Sequence, residues 1–530
     1  MDSTARRRRC GELAARGQVI RAGMALAAGL ALAAIAPAQA QPAPADGAEG
    51  APVPRAFGVS TGITFESTIL NVSERVTGNG TEYLVRASPS LTMAHRGGRM
   101  QGALIYSGSL SSRRGIDDRE DSEYLNSLSA NYLLEVIDGI GFVDARASIT
   151  QQTIAAVGTP VGFLQTSANR TEVRSVALSP YLRGPLSTVA EYEVRASAAV
   201  TRGGRDTASD SDVYEGLFAL RSPRRGAVFG WGLTGVRQRV KFLVSAAPTV
   251  TDRLNAEVSS QPDIDWRFTI NGGVERTDVV GALRQQYENY GVGVQWTPSP
   301  RTTVAVQGEE RYFGSAYRAT VAHRLARSTF RFSSSRDINI GSGALAQGQA
   351  ITLYELYFSQ YASLIPDPVQ RDQFVLALIA ATGRDRNEVV SGGLFGNSGI
   401  ALERRNDVIW TWAGPRLTLN ATAYAVNTER VDTGGVNPSS RNDNARQRGY
   451  AGGAGWRLTE LTNVNLAGSR TMSKDTVTLV RSDLKSITFG LTSQLGARTT
   501  GLLSMRYSVL NGASEAYRET ALTGSLSLRF

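Results

Sequence analysis

Apolar and polar residues alternate with a period of two along most of this chain, as they do in strands whose two faces meet different surroundings. Tyr192, Val194, Ala196, Ala198 and Val200 share one face, with Glu193 and Arg195 on the other. Trp266, Phe268 and Ile270 alternate with Arg267, Thr269 and Asn271. Tyr290, Val292, Val294 and Trp296 form a further stripe, and Leu417, Leu419, Ala421 and Ala423 stand against Arg416, Thr418 and Asn420. Ile487, Phe489 and Leu491 repeat the pattern, as do Leu503, Met505, Tyr507 and Val509. In the last ten residues Leu522, Gly524, Leu526, Leu528 and Phe530 oppose Thr523, Ser525, Ser527 and Arg529. Such segments of about ten residues are what a strand needs when lipid lies on one side and water on the other.

Turn residues punctuate these strands. Short turns are predicted at Arg96–Arg99, Arg183–Pro185, Pro223–Gly226, Gln261–Asp263, Thr297–Pro300, Ala413–Arg416, Thr459–Asn463 and Gly496–Arg498. Longer polar connections alternate with them, at Arg113–Glu123, Gly203–Asp212 and Thr433–Gln447. The expected fold is all-β: a transmembrane antiparallel up-and-down β-barrel of about 22 strands, with 18 or 20 left open by the turn count. The six tryptophans, at 231, 266, 296, 410, 412 and 456, all lie near short turns. An aromatic girdle at one membrane interface explains that placement. A soluble two-layer β protein also alternates, but a chain this long would normally split into domains with visible linkers.

One segment breaks the period. In the insert 344–397, Asp367 is placed as an N-cap, Pro368 in the first turn and Gly383 at the C-terminal end, which predicts a helix. Phe374 and Leu378 share a face of it. Such a helix, about 22 Å long, is too short to span a bilayer. Capping a pore, folding into a lumen, docking a partner and a plain loop insertion all remain open for it.

The N-terminal region predicts the compartment. Arg6 to Arg9, with Arg16 and Arg21, precede an apolar stretch from Met24 to Ile35 and an Ala38-Gln39-Ala40 site. This reads as a signal peptide over 1–40 cleaved before Gln41, with an uncleaved anchor as the alternative. A Pro/Ala-rich leader over 41–56 then precedes a barrel over 57–530. The single cysteine, Cys10, falls in the signal, so the exported chain is expected to carry no disulfide. The net charge is +10, and after the signal lysine occurs only at 241, 474 and 485. The many arginines are spread along the chain and interleaved with acids, unlike the clustered surface of a nucleic-acid-binding protein.

Phe142-Val-Asp-Ala-Arg-Ala-Ser-Ile-Thr-Gln-Gln152, Leu353-Tyr-Glu-Leu-Tyr-Phe358 and Ile365-Pro-Asp-Pro-Val-Gln-Arg371 resemble segments of the outer-membrane β-barrel proteins associated with the PEP-CTERM sorting system. The resemblance covers most of the mature chain and groups it with β-barrel porins. It implies an outer-membrane barrel linked with exopolysaccharide production, and it supplies neither a catalytic residue nor a substrate.

Catalytic chemistry is sparse. His95 and His323, the only histidines, both fall near short turns, away from where a nucleophile–base pair would face the exterior. A zinc site lacks ligands. Asp117, Asp118, Glu120 and Asp121, and the group Asp206, Asp210 and Asp212, lack the spacing of a calcium loop and read as solvated charges. Gly452–Gly455 lies in a strand, without the following helix that a phosphate-binding loop needs. No cofactor is expected and the chain is not read as an enzyme.

What remains is passage. The alternation assigns Glu193, Arg195, Arg267, Gln307, Glu309, Arg416, Asn463, Asn465, Arg506 and Arg529 to the lumen. Paired arginines and acids there would order water, and guanidinium groups would suit acidic sugars; a reading in which such pairs only brace the wall stands equally open. Two readings follow: a porin-like channel passing or exporting polar, saccharide-like material, and a docking barrel whose insert binds a surface or export partner. Leu522, Leu526, Leu528 and Phe530 form the expected C-terminal insertion signal, which implies two partners: outer-membrane lipid and the barrel-assembly machinery.

Overall fold

Twenty-two strands, each hydrogen-bonded antiparallel to its neighbours in sequence, build one sheet. The computed structural model describes residues 57–73, 80–115, 120–153, 157, 170–204, 210–223, 228–243, 248–281, 283–339, 400–431, 444–512 and 516–530. The strands are β1 (Phe57–Ser73), β2 (Gly80–Gly97), β3 (Met100–Arg114), β4 (Glu120–Ile137), β5 (Gly141–Thr153) and β6 (Arg170–Pro185). Next come β7 (Glu191–Gly203), β8 (Ser211–Arg221), β9 (Phe229–Phe242), β10 (Thr249–Asp263), β11 (Trp266–Thr277) and β12 (Gln285–Ser299). β13 (Thr302–Arg311), β14 (Gly314–Arg324), β15 (Ser328–Asn339), β16 (Ala401–Ala413) and β17 (Leu417–Arg430) follow. The series ends with β18 (Ala445–Arg457), β19 (Thr462–Asp475), β20 (Arg481–Gly496), β21 (Thr499–Gly512) and β22 (Ala516–Arg529). The expected signal and leader (1–56) and the insert with Asp367, Pro368, Phe374 and Leu378 lie outside the described residues.

The sheet closes on itself. β22 pairs with β1, placing Leu528 opposite Ile63 and Leu522 opposite Ile69. The Phe530 amide donates to the Thr61 carbonyl at 2.8 Å. Closure leaves no free edge, the condition under which strands can cross a bilayer. A ring of this many strands, tilted by the usual angle, has a backbone diameter of roughly 44 Å.

Its two faces differ as the alternation predicts. Outward lie Trp266, Phe268, Ile270, Tyr290, Val292, Leu466, Ile487, Phe489, Leu503, Met505, Leu522 and Leu526, all exposed. In water such a continuous apolar surface would drive aggregation, whereas against hydrocarbon it is the stable arrangement. Among the described residues no helix is long and apolar enough to cross a membrane. All six tryptophans project outward at the short-turn end; Trp266 stacks on Trp296 across β11 and β12 with ring centroids 5.5 Å apart. His95 and His323 face outward in the same belt. The His95 ring lies 5.9 Å from that of Phe57, and His323 Nδ1 is 2.8 Å from Thr302 Oγ1.

Connections follow the expected turns with several differences: Arg183–Pro185 lies inside β6, so that turn falls at 186–190, and on the long-connection side Tyr312 and Phe313 alone join β13 to β14. The strands run through Gln261–Asp263 and Thr297–Ser299, so the turns fall at 264–265 and 300–301. Each shift coincides with a break in register, between Ser260 and Asp263 and between Trp296 and Ser299. Pro262 and Pro298 sit inside these bulges, where a strand tolerates a residue with no amide to donate. The expected long connection Arg113–Glu123 shrinks to 115–119, because Arg113 and Asp121 still pair across β3 and β4.

Candidate functional site: the enclosed lumen

The inward faces change character along the barrel. On β1, Gly58 near the short-turn end is exposed, Ser60 to Glu66 are half-buried, and Thr68, Leu70 and Val72 are buried. On β22, Arg529 is exposed while Ala521, Glu519 and Tyr517 are buried. β16 repeats the trend, from half-buried Ile409 and Thr411 to buried Ala401, Glu403, Arg405 and Asp407. Among the described residues the inward face is therefore accessible at the short-turn end and buried at the other.

Apolar residues account for part of that packing. Leu70, Val72, Leu484, Leu510, Tyr517 and Ala521 form one buried cluster on β1 and β20–β22. Wall residues Ala177, Ala199, Val213, Val240 and Phe242 share a second cluster with Val279 and Ile400, which belong to connections. Tyr312, in the β13–β14 turn, packs against it, so connection residues fold over the mouth. Burial pushes the Tyr312 phenol well above its ordinary range, with Arg311 pulling it back and the Glu275 and Asp337 carboxylates adding to the rise. It stays a neutral hydroxyl at any physiological pH. These inward apolar residues depart from the uniformly polar lumen the sequence suggests.

Between the clusters run charged ladders. Arg311 donates from Nη2 to Glu275 Oε1 at 2.7 Å and from Nε to Oε2 at 3.2 Å, while its Nη1 reaches Asp337 at 3.0 Å. The Glu275 side chain is 0% exposed. Arg405 donates to Asp407 at 2.7 Å and lies 3.9 Å from Glu403, which in turn accepts from Asn339 at 2.7 Å. Arg506 pairs with the fully buried Glu519 at 2.5 Å. A buried guanidinium–carboxylate pair of this kind is stable only when both partners are present.

The sequence-assigned lumen residues fall into three groups. Glu193, Arg195, Arg267, Gln307, Glu309, Asn463, Asn465, Arg506 and Arg529 share the inward face, with Arg529 at its rim. Glu309 pairs with Arg253 and accepts from Asn271 at 3.4 Å, and Arg506 belongs to the buried ladder. Arg416 stands apart, exposed in the turn after Ala413, because β17 starts only at Leu417. Near the open end Arg195 bonds Glu193 at 3.1 Å and lies 4.1 Å from the Tyr181 ring centroid. Arg183 covers Phe142 at 4.5 Å, and Phe142 stacks on Tyr181 at 5.2 Å. Flat aromatic and guanidinium surfaces beside a carboxylate are suited to contacting the faces and hydroxyls of a sugar.

Arg318 and Arg331, outside the sequence-assigned set, are exposed on the inward faces of β14 and β15. Their signal was available, since each alternates with outward apolar neighbours such as Val321 and Phe330. Arg221 and Arg457 add further exposed cations near the open end. Asp210 and Asp212 of the acidic group are engaged, accepting from the Gly203 amide at 2.5 Å and from Arg202 at 2.6 Å. Among the described residues no group of three His, Cys, Asp or Glu side chains could hold a metal ion.

The architecture defines a class: an up-and-down transmembrane β-barrel enclosing a charged, one-sided lumen. No protein-family model and no curated protein matches the chain. Among solved structures it is similar to the siderophore receptor PirA from Acinetobacter baumannii, at 9% identity and TM-score 0.45, covering 89% of this chain and 80% of that one. PirA from Pseudomonas aeruginosa gives 11%, 0.44, 89% and 80%. The Pseudomonas aeruginosa outer membrane protein opdK gives 10%, 0.31, 89% and 99%. Likenesses at this level add nothing to the functional reading, and the barrel assignment rests on the strand pairing itself.

Proposed function

We propose that this protein is an outer-membrane channel of porin type that admits polar, saccharide-like solutes from its short-turn end. The observation that carries the reading is the division of faces in a closed sheet: an apolar exterior around an interior lined with Arg, Asp, Glu and Asn. Exposed Arg183, Arg221, Arg318, Arg331, Arg457 and Arg529 outnumber the acids near the open end, which favours anionic solutes such as acidic sugars. A link with exopolysaccharide export is part of the proposal and rests on the sequence resemblance alone.

Burial of the inward face at the opposite end favours a second reading, a barrel that stays shut and serves as a docking platform. Reconstitution into planar bilayers distinguishes the two. The channel reading expects discrete conductance steps with an anion-preferring reversal potential in a salt gradient. A barrel that conducts at no voltage refutes it and leaves the docking reading.

A further inference from the structure

The outward face carries a feature that neither a channel nor a docking barrel requires. Toward the long-connection end, one cross-strand rung runs Arg336 (β15), Arg404 (β16), Asn427 (β17), Arg446 (β18), Lys474 (β19) and Arg481 (β20). Five of its six positions are cationic and none is acidic. Like charges directly opposite across a sheet destabilise it, so three adjacent cations on β18–β20 need an anion to settle them.

The protein supplies little of that anion. Among the described residues no carboxylate pairs with Arg404, Arg446, Lys474 or Arg481; Arg404 reaches the Tyr317 hydroxyl and Arg446 the Asn427 side chain. Asp483, on the same face, is held by Arg470 at 2.8 and 2.9 Å with Lys485 at 3.9 Å. Glu429 accepts from Asn427 at 2.8 Å. Arg448 and Lys485 extend the exposed basic surface.

Depth fits the charge. Moving down the same strands, the next outward row holds Arg448, Met472 and Asp483 and the one after it Tyr450, Arg470 and Lys485; Ile487 follows, then Leu466 and Phe489, in the exposed apolar band. The cations thus stand at the band's upper edge, about where lipid headgroups begin. All three lysines of the chain after the signal, Lys241, Lys474 and Lys485, lie on outward faces at this end. Guanidinium and ammonium groups in a row at headgroup depth match phosphate esters in charge and geometry.

We propose that the outward face of β15–β20 binds the phosphate groups of a phosphorylated lipid in the leaflet at the long-connection end. The inference rests on the barrel being embedded in lipid and is independent of whether its lumen conducts. Each cation contributes about fivefold to the affinity for an anionic surface, so removing three weakens it roughly a hundredfold.

The test is native mass spectrometry of the full barrel released from micelles doped with a bis-phosphorylated glucosamine lipid. Parallel arms use the same lipid after phosphatase treatment and inorganic phosphate alone. The expected result is retention of the phosphorylated lipid at least tenfold above the other two, falling with added salt. An Arg446→Gln/Lys474→Gln/Arg481→Gln variant should lose that excess, while the inward pair Arg318→Gln/Arg331→Gln should keep it. Heat-modifiable gel migration verifies that each variant is folded and tests embedding separately. Equal retention of the dephosphorylated lipid by the unaltered protein overturns the proposal without any variant, as does undiminished retention by the folded triple variant.

Discussion

Replacing Glu275 by alanine probes the packed end of the lumen most sharply. Its carboxylate is 0% exposed and takes two hydrogen bonds from Arg311, itself only 13% exposed. The substitution leaves that guanidinium with Asp337 alone, at 3.0 Å and 36% exposed. Breaking a buried pair costs about 3–5 kcal/mol, because the remaining charge stays desolvated. The paired change Glu275→Leu/Arg311→Met should cost much less, since neither charge is then buried. Arg237→Ala is the internal control: its partner Asp252 lies 3.6 Å away with both side chains exposed, where about 0–1 kcal/mol is expected. Reversible urea unfolding in lipid vesicles, followed by fluorescence of the outward tryptophans, measures all three. If Glu275→Ala costs no more than Arg237→Ala, water reaches this end of the barrel and the packed lumen is wrong.

Three further outcomes follow from the same geometry. Arg318→Gln/Arg331→Gln should reduce the anion preference of the reversal potential while leaving the fold heat-modifiable; an unchanged potential removes these arginines from the permeation path. Gly449→Ala should destabilise by about 1–3 kcal/mol, since its new Cβ would lie 2.4 Å from the Tyr424 ring, and urea unfolding would show the loss. Lipids brominated near the glycerol should quench the tryptophans more than lipids brominated at the chain ends, because the six indoles form a belt; the reverse order would place them at the bilayer centre.

The strands were legible because a period of two reports directly that two faces differ, and turn residues mark where each strand stops. What fills the lumen was not legible, because alternation separates inside from outside but carries no depth. Leu70, Val72, Leu510 and Tyr517 look like lapses in a polar stripe until closure brings β1 beside β22. Glu403, Arg405 and Asp407 alternate with Arg404 and Asn406, so their sharing one strand face was readable. The Glu275–Arg311–Asp337 ladder was not, for it needs the register of β11, β13 and β15, residues 36 and 26 apart in the chain. The basic rung is hidden for the same reason: Arg404, Arg446, Lys474 and Arg481 are separated by connections and meet only through pairing. Pro262 and Pro298 read as turn residues in the sequence and are bulge residues in the fold, since either site dispenses with the amide.

Thiol labelling along β14 puts the central claim to its most direct test. Cys10 is the only cysteine, so in a Cys10→Ser background single cysteines at 318 to 322 report one at a time. In sealed lipid vesicles a membrane-impermeant thiol reagent should modify positions 318, 320 and 322, which face the lumen, and spare 319 and 321, which face hydrocarbon. Uniform modification of all five, or protection of the even positions, would contradict a barrel with water inside and lipid outside.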